Sequence, residues 1–261
     1  MSYEYLSLTY EDNIAIIELN IPPANTLSSG CIQEMRTVVQ SLNKKEDTHG
    51  VIITGAGRFF VAGADIKEFV PALGDRDKGL NMAAAGQALC DELETMKKPV
   101  IAAINGPALG GGLELALGCH YRIAADDAIL GLPELNLGLI PAFGGTQRLS
   151  RLTDIGTAID IILTGRQLSG KEAQQLGIVH RSVSQDKLME TAIETAKSFV
   201  TGKSMTSVQR AMKAVTKGYH ESLDSGLKRE RELFAELFQT NDAEEGVKAF
   251  IDKRKPNFKH S

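Results

Sequence analysis

Val100-Ile-Ala-Ala-Ile104 followed by Asn105-Gly-Pro-Ala-Leu-Gly-Gly-Gly-Leu-Glu114-Leu-Ala-Leu-Gly118 is the stretch that decides the fold. The first five residues are a continuous apolar run of the kind found in a buried strand, and Asn105-Gly106-Pro107 is a turn signal. Three glycines then precede a small, apolar segment with helical character. A strand, a tight loop and a helix start are therefore expected in sequence. Glycines at a helix start let a ligand approach the backbone, and the first amides of the helix lack intrahelical partners, so the place favours developing negative charge. Glu114 lies one turn inside that helix with apolar residues around it, an unusual setting for an ionisable side chain. A second glutamate follows a second strand-like run and a proline in Gly131-Leu-Pro-Glu134. Amide donors and two carboxylates in one cleft suit proton transfer next to a carbonyl.

Outward from this unit, the chain has the composition of an ordinary globular protein: 261 residues, 43% hydrophobic and 24% charged, with a formal net charge of -4. That length supports one large domain, or one domain with an appendage. The acidic balance gives no global field for nucleic acid or an anionic membrane. Cys31, Cys90 and Cys119 are odd in number, widely spaced and in apolar contexts, which predicts reduced thiols and a cytoplasmic protein. The N-terminal residues do not read as a secretion signal, and no apolar run reaches about 18 residues, so no membrane span is expected.

The N-terminal pattern predicts a hairpin from residues 3 to 9 and 14 to 19, then a helix capped by Ser28 or Ser29 and running to about Asn43. That helix buries Ile32, Met35, Val38, Val39 and Leu42 on one face. Val51 to Thr54 reads as a buried strand. Phe69 to Gly79 is rich in charge and turn formers and reads as a mobile surface loop, with a helix from Leu80 to Met96 after it. Beyond the central unit, short strands are expected at 121–125 and 128–132, a helix opening at Thr146, another at 153–163, a Ser169-capped helix at 171–176 and a strand at 178–183. Helices alone follow, at about 187–200, 204–216, 222–238 and 243–253. The change of character near Thr201-Gly202-Lys203 divides the chain into a core, 1–200, and a helical region, 201–261. The apolar face of that region, including Leu223, Leu227, Phe234, Leu237 and Phe238, must pack on something, and another subunit is a candidate.

Several other chemistries find no support. Gly165-Arg-Gln-Leu-Ser-Gly-Lys-Glu172 has phosphate-loop spacing, but Glu172 replaces the hydroxyl that would hold magnesium, so it reads as a helix stop followed by a Ser169 cap. No G-x-S-x-G or C-x-x-C occurs, the histidines at 49, 120, 180, 220 and 260 never fall at helical ligand spacing, and no metal site is expected. The glycine runs also miss the dinucleotide order G-x-G-x-x-G.

Taken in order, Phe60-Val-Ala-Gly-Ala-Asp-Ile-Lys-Glu68, Asn105 to Ala116, Pro133-Glu134, Gly138-Leu-Ile-Pro141 with Gly144-Gly-Thr-Gln-Arg-Leu149, and the tail Phe250-Ile-Asp-Lys-Arg-Lys-Pro-Asn-Phe258 resemble the crotonase superfamily, and within it enoyl-CoA hydratase. The resemblance implies an α/β fold with a ββα spiral core and a C-terminal helical region that mediates homotrimers, commonly paired into hexamers. It implies that the amides of Ala64 and Gly111 form an oxyanion hole for an acyl-CoA thioester, with Glu114 and Glu134 as the catalytic pair. It further implies substrate contacts at Ala62, Gly63, Asp65, Ile66, Lys67, Leu132 and Ala142, and from Phe250 and Lys253 to a neighbour's CoA.

The expected reaction is hydration of a 2-enoyl-CoA, in which Glu114 activates water and protonated Glu134 delivers to C2. No cofactor is implied, CoA being part of the substrate. The chain departs from the family pattern at two places: Ala142-Phe143 stands where a glycine-rich pair is common, and Leu132 where many hydratases carry a polar residue. The alternatives are an enoyl-CoA isomerase, a hydratase of branched acyl groups such as methylglutaconyl-CoA, and a catalytically idle acyl-CoA-binding scaffold. Two retained glutamates favour hydration.

Overall fold

The computed structural model describes residues 3–261. The chain opens on β1 (Leu6–Glu11) and β2 (Ile14–Leu19), an antiparallel hairpin in which Leu6 pairs with Leu19 and Glu11 with Ile14. Helix α1 (Ser29–Lys44) follows. The Ser28 side chain caps it by accepting the Cys31 amide at 3.1 Å, and Cys31, Ile32, Met35, Val38, Val39 and Leu42 form its buried stripe. Strand β3 (Gly50–Gly55) is buried along its whole length, as a parallel strand covered on both faces should be.

Helix α2 (Arg76–Glu94) begins four residues earlier than the sequence pattern suggests, within the stretch read as a mobile loop. That expectation is corrected on two counts. Ile66–Glu68 and Val70–Ala72 form short 3-10 turns, and the Asp75 carboxylate accepts the amides of Asp77 and Lys78, each at 3.1 Å, which starts α2 at once.

The central unit folds as expected and adds a short strand: β4 (Val100–Ile104), β5 (Ala108–Leu109), then α3 (Gly111–Gly118), every residue of which is buried. The next turn repeats the scheme with β6 (Tyr121–Ala125) and β7 (Ile129–Gly131), a 3-10 turn at Glu134–Leu137, and helices α4 (Gly145–Leu152) and α5 (Ile155–Thr164).

Strand β8 (Leu168–Ser169) leads into α6 (Gly170–Gln175), whose Ser169 and Glu172 make a reciprocal capping box. The segment with phosphate-loop spacing is thus a helix stop and a cap. Strand β9 (Arg181–Val183) is shorter than the expected 178–183, because Ile178 and Val179 turn into the core before pairing begins. Helix α7 (Leu188–Val200) then packs on β3, β4 and β6.

Two sheets result. The larger has the order β1-β2-β3-β4-β6-β9 and is parallel after the first hairpin, while β5, β7 and β8 form the smaller. The two central turns, β4-β5 and β6-β7, each send one strand to the large sheet and the next to the small one before a helix returns the chain. This winding places the ends of β5 and β7, and therefore Gly110 and Gly131, side by side, with the Gly110 amide donating to the Gly131 carbonyl at 2.9 Å. The chain closes with α8 (Met205–Gly218), α9 (Leu223–Leu237) and α10 (Asn241–Ile251), capped by Ser204, Ser222 and Thr240. The tail folds back so that buried Asp242 accepts the amides of Lys259 and His260. No helix among the described residues is long and apolar enough to cross a membrane.

Candidate active site

A cleft of about 660 Å³ opens where the small sheet meets α2, α3 and the turn before α4, and both Glu114 and Glu134 line it. Three local devices bring this about. The first is the glycine run. Gly110 has φ 52°, in the left-handed region, and a Cβ placed there would stand 2.6 Å from Glu134 Oε1, so glycine is required both for the turn and for the approach of the carboxylate. A Cβ on Gly112 would collide with the Val61 carbonyl, which keeps α3 pressed on the 61–64 segment.

The second device is that segment itself. Leu27 N–H donates to Gly63 O and Asp65 N–H to Leu27 O, each at 2.9 Å, while Val61 N–H donates to Pro107 O at 3.1 Å. Among the described residues the intervening Ala64 amide has no backbone acceptor, nor has the Gly111 amide at the first position of α3. These two lie together, since Ala64 N is 3.5 Å from where a Gly111 Cβ would be. Two open N–H groups, one at a helix N-terminus, can donate to a single anionic oxygen.

The third device holds the carboxylates. Glu114 is 2% exposed, and its Oε1 accepts the Gly145 amide at 2.6 Å. A Cβ on Gly145 would lie 2.8 Å from that oxygen, so this glycine too is set by close approach. Burial pushes the Glu114 carboxyl up to about 7; the Gly145 amide opposes the rise, the charge of Glu134 adds to it, and the Phe143 amide and Arg148 oppose it more weakly. Glu134 sits on the 3-10 turn after Pro133, half-buried, with an Oε2 that has no hydrogen-bond partner among the described residues. Burial raises its carboxyl to about 7 as well, against its own backbone amide. Two neighbouring carboxyls poised near neutrality can share one proton, one acting as acid and the other as base.

The cleft gathers many of the residues singled out from sequence but not all. Ala62, Gly63, Ala64, Ile66, Gly111 and Ala142 line it with the two glutamates. Asp65 turns its carboxylate to the Lys67 amide as a helix cap, and Lys67 is exposed; neither lines the cleft. Leu132 is a correction: it is fully buried among the core side chains, and the next two residues, Pro133 and Glu134, face the cleft instead. Phe250, 86% exposed on α10, and Lys253 beyond it lie off the cleft of their own chain. The sequence reading missed the apolar walls, Phe69, Met82, Leu137, Ile140 and Phe143, and the clamp from Gly145. The paired glycines before α4, which repeat the arrangement before α3, were the available signal for the clamp.

The sequence profile of the enoyl-CoA hydratase/isomerase family matches residues 9–261. The chain belongs to that family. A probable enoyl-CoA hydratase of Bacillus subtilis is 44% identical over 97% of this chain and 98% of its own length. A short-chain-enoyl-CoA hydratase of Clostridium acetobutylicum is 39% identical over 98% and 97%. Among solved structures, an enoyl-CoA hydratase from Bacillus anthracis superposes with a TM-score of 0.92 at 38% identity, covering 99% of this chain and all of its own. One from Geobacillus kaustophilus reaches 0.95 at 32% identity, over 100% and 98%. The ββα-spiral architecture is that of these crotonase-type hydratases. Among the described residues there is no group of three or more histidine, cysteine or acidic side chains that could hold a metal ion.

Proposed function

We propose that this chain is an enoyl-CoA hydratase, adding water reversibly across the 2,3 double bond of a trans-2-enoyl-CoA to give the 3-hydroxyacyl-CoA. The observation that carries the proposal is the convergence of Glu114 and Glu134 on one cleft beside the open amides of Ala64 and Gly111. The thioester oxygen accepts both amides, which stabilises the negative charge that reaches it when C3 is attacked; loss of one such donor typically costs about 2.7 to 4 kcal/mol of barrier.

Glu114, ionised, takes a proton from water as the new C–O bond forms at C3, and the electron pair of the double bond moves to C2 and the thioester oxygen. Glu134, protonated, then delivers its proton to C2. Return of a proton from Glu114 to Glu134 restores the starting state. Each role is worth roughly 10² to 10⁴ in rate. Hydration by this route calls on no metal or redox cofactor, and CoA arrives with the substrate.

The strip from Ala62 to Lys67 runs along the CoA moiety. The exposed apolar rim at Leu73, Leu137 and Ile140 receives the acyl group. Residues 201–261 form the oligomerisation region of a homotrimer or a pair of trimers, where Phe250 and Lys253 reach a neighbour's CoA. Leu223, Phe234 and Phe238 are exposed on the single chain and supply the apolar face such an assembly needs.

The test is to incubate the protein with crotonyl-CoA and follow loss of the conjugated thioester absorbance and gain of one water in the product mass. An isomerase would instead convert a 3-enoyl-CoA to the 2-enoyl isomer without hydrating it. A scaffold would bind the thioester and leave it unchanged.

A further inference from the structure

We propose that Arg148 is a positioning residue for Glu114, bracing the turn from Ala142 to Gly145 so that the Gly145 amide stays aimed at the carboxylate; this rests on the reading of Glu114 as the base. The guanidinium of Arg148 lies against the turn. Its Nη1 donates to the Phe143 carbonyl at 3.2 Å, its Nε and Nη2 to Glu94 Oε2 at 3.0 and 2.8 Å, and Nη2 also to Asp91 Oδ1 at 2.6 Å. With a side chain only 16% exposed, it joins α2, α4 and the turn in one fork that lysine cannot reproduce.

Two glycines lie between this guanidinium and Glu114. A Cβ on Gly144, at φ 111°, would overlap Arg148 Nη1, and a Cβ on Gly145 would press on both Glu114 Oε1 and Pro141. Side chains are excluded on both sides, so the shape of the turn is set by what grips its carbonyls. Gln87 holds the Ala142 carbonyl at 2.9 Å and Arg148 holds the next one.

Glu94 makes the anchor firm. Burial works against its charge, but the hydrogen bonds from Arg148 and from His220, 2.8 Å away, more than offset this and keep its carboxyl below the ordinary range. The charged and titratable groups facing Glu114 are Glu134 from the 3-10 turn, Arg148 from α4, and Cys90 of α2, whose Sγ lies 3.5 Å from the Glu114 carbonyl. Of these, Arg148 alone brings positive charge. Both its field and the amide it braces favour ionised Glu114, so its removal acts in one direction.

The test measures kcat and KM against pH with crotonyl-CoA for wild type, Arg148→Met, Arg148→Lys and Glu114→Gln. Expected for Arg148→Met is an acidic limb of kcat moved to higher pH, a kcat at neutrality lowered about tenfold, and a KM changed less than about threefold. Arg148→Lys keeps the charge but not the fork, so its limb moves less while kcat still falls. A folded Arg148→Met enzyme with the wild-type limb and a kcat within about twofold of wild type overturns the proposal. Should that variant fail to fold, Arg148→Lys decides by the same two readings. An inactive Glu114→Gln beside an indifferent Arg148→Met sinks the positioning role alone, whereas a fully active Glu114→Gln sinks the base assignment and the positioning role together.

Discussion

Glu114 shows how burying a carboxyl weakens the fold that holds it. Its carboxyl stands near 7 in the folded chain against an ordinary 4.5, and the cause is chiefly burial. A raised carboxylate is at no disadvantage at pH 4, where it is protonated in both states, and it loses stability as pH rises toward 7, since the unfolded chain ionises first. The difference corresponds to about 3 kcal/mol. Glu114→Gln, which still accepts the Gly145 amide, is therefore expected to be more stable than wild type at pH 8 by up to about 3 kcal/mol, with the gain vanishing toward pH 4. Denaturant unfolding at the two pH values checks this; an equal difference at both would contradict the burial argument. The same two carboxyls predict a bell-shaped kcat/KM for crotonyl-CoA whose limbs lie close together around neutrality, since Glu134 is also raised to about 7. A profile flat from pH 5 to 9 would contradict it. At this scale the sequence was informative where a residue broke a local rule: a glutamate amid Leu113, Leu115 and Leu117, and glycines where a helix starts. It was silent on Arg148, an ordinary polar helix residue until its partners from α2 are seen, and misleading at Leu132, where the direction of a side chain depends on how β7 ends.

At the scale of elements, long periodic segments were legible and short or locally capped ones were not. Helix α1 was readable from its apolar stripe, and β3 and β4 from unbroken apolar runs. Strands β5 and β8 have two residues each, too few to carry a period, and they exist because the winding of the core lays them against β7. The start of α2 was obscured by charge. Asp75, Arg76, Asp77 and Lys78 read as a solvated loop, yet Asp75 is a cap and Asp77 a favourable acid in the first turn. Removing that cap with Asp75→Ala should cost about 1 kcal/mol locally and speed amide exchange at Asp77 and Lys78 roughly fivefold. Unchanged exchange there would mean that tertiary packing, and not the cap, holds the first turn. Because Arg76, Gly79, Met82 and Ala83 line the cleft, the same element forms part of its wall.

For the whole molecule, the exposed apolar residues on and beside α9 and α10 are a demand that a single chain does not meet. Leu223, Phe234, Phe238, Phe250 and Ile251 are each more than half exposed, far from the scattered single residues a monomer tolerates. Light scattering is expected to give three or six times the chain mass, and a Phe234→Ser, Phe238→Ser double variant to lower it. A wild-type monomer at micromolar concentration would contradict the proposed assembly. The change from alternating strands and helices to helices alone was visible in the sequence, and the structure has helices alone from α7 onward. What covers those helices was not visible, because an unpaired apolar face does not name its partner.

The central claim is that two carboxylates and two main-chain amides act on one enoyl thioester. It is tested most directly by the turnover of crotonyl-CoA in Glu114→Gln and Glu134→Gln at neutral pH, with folding and thioester binding verified in each variant. Each substitution is expected to lower kcat by at least about 10²-fold. Near-wild-type turnover in either variant would contradict the account.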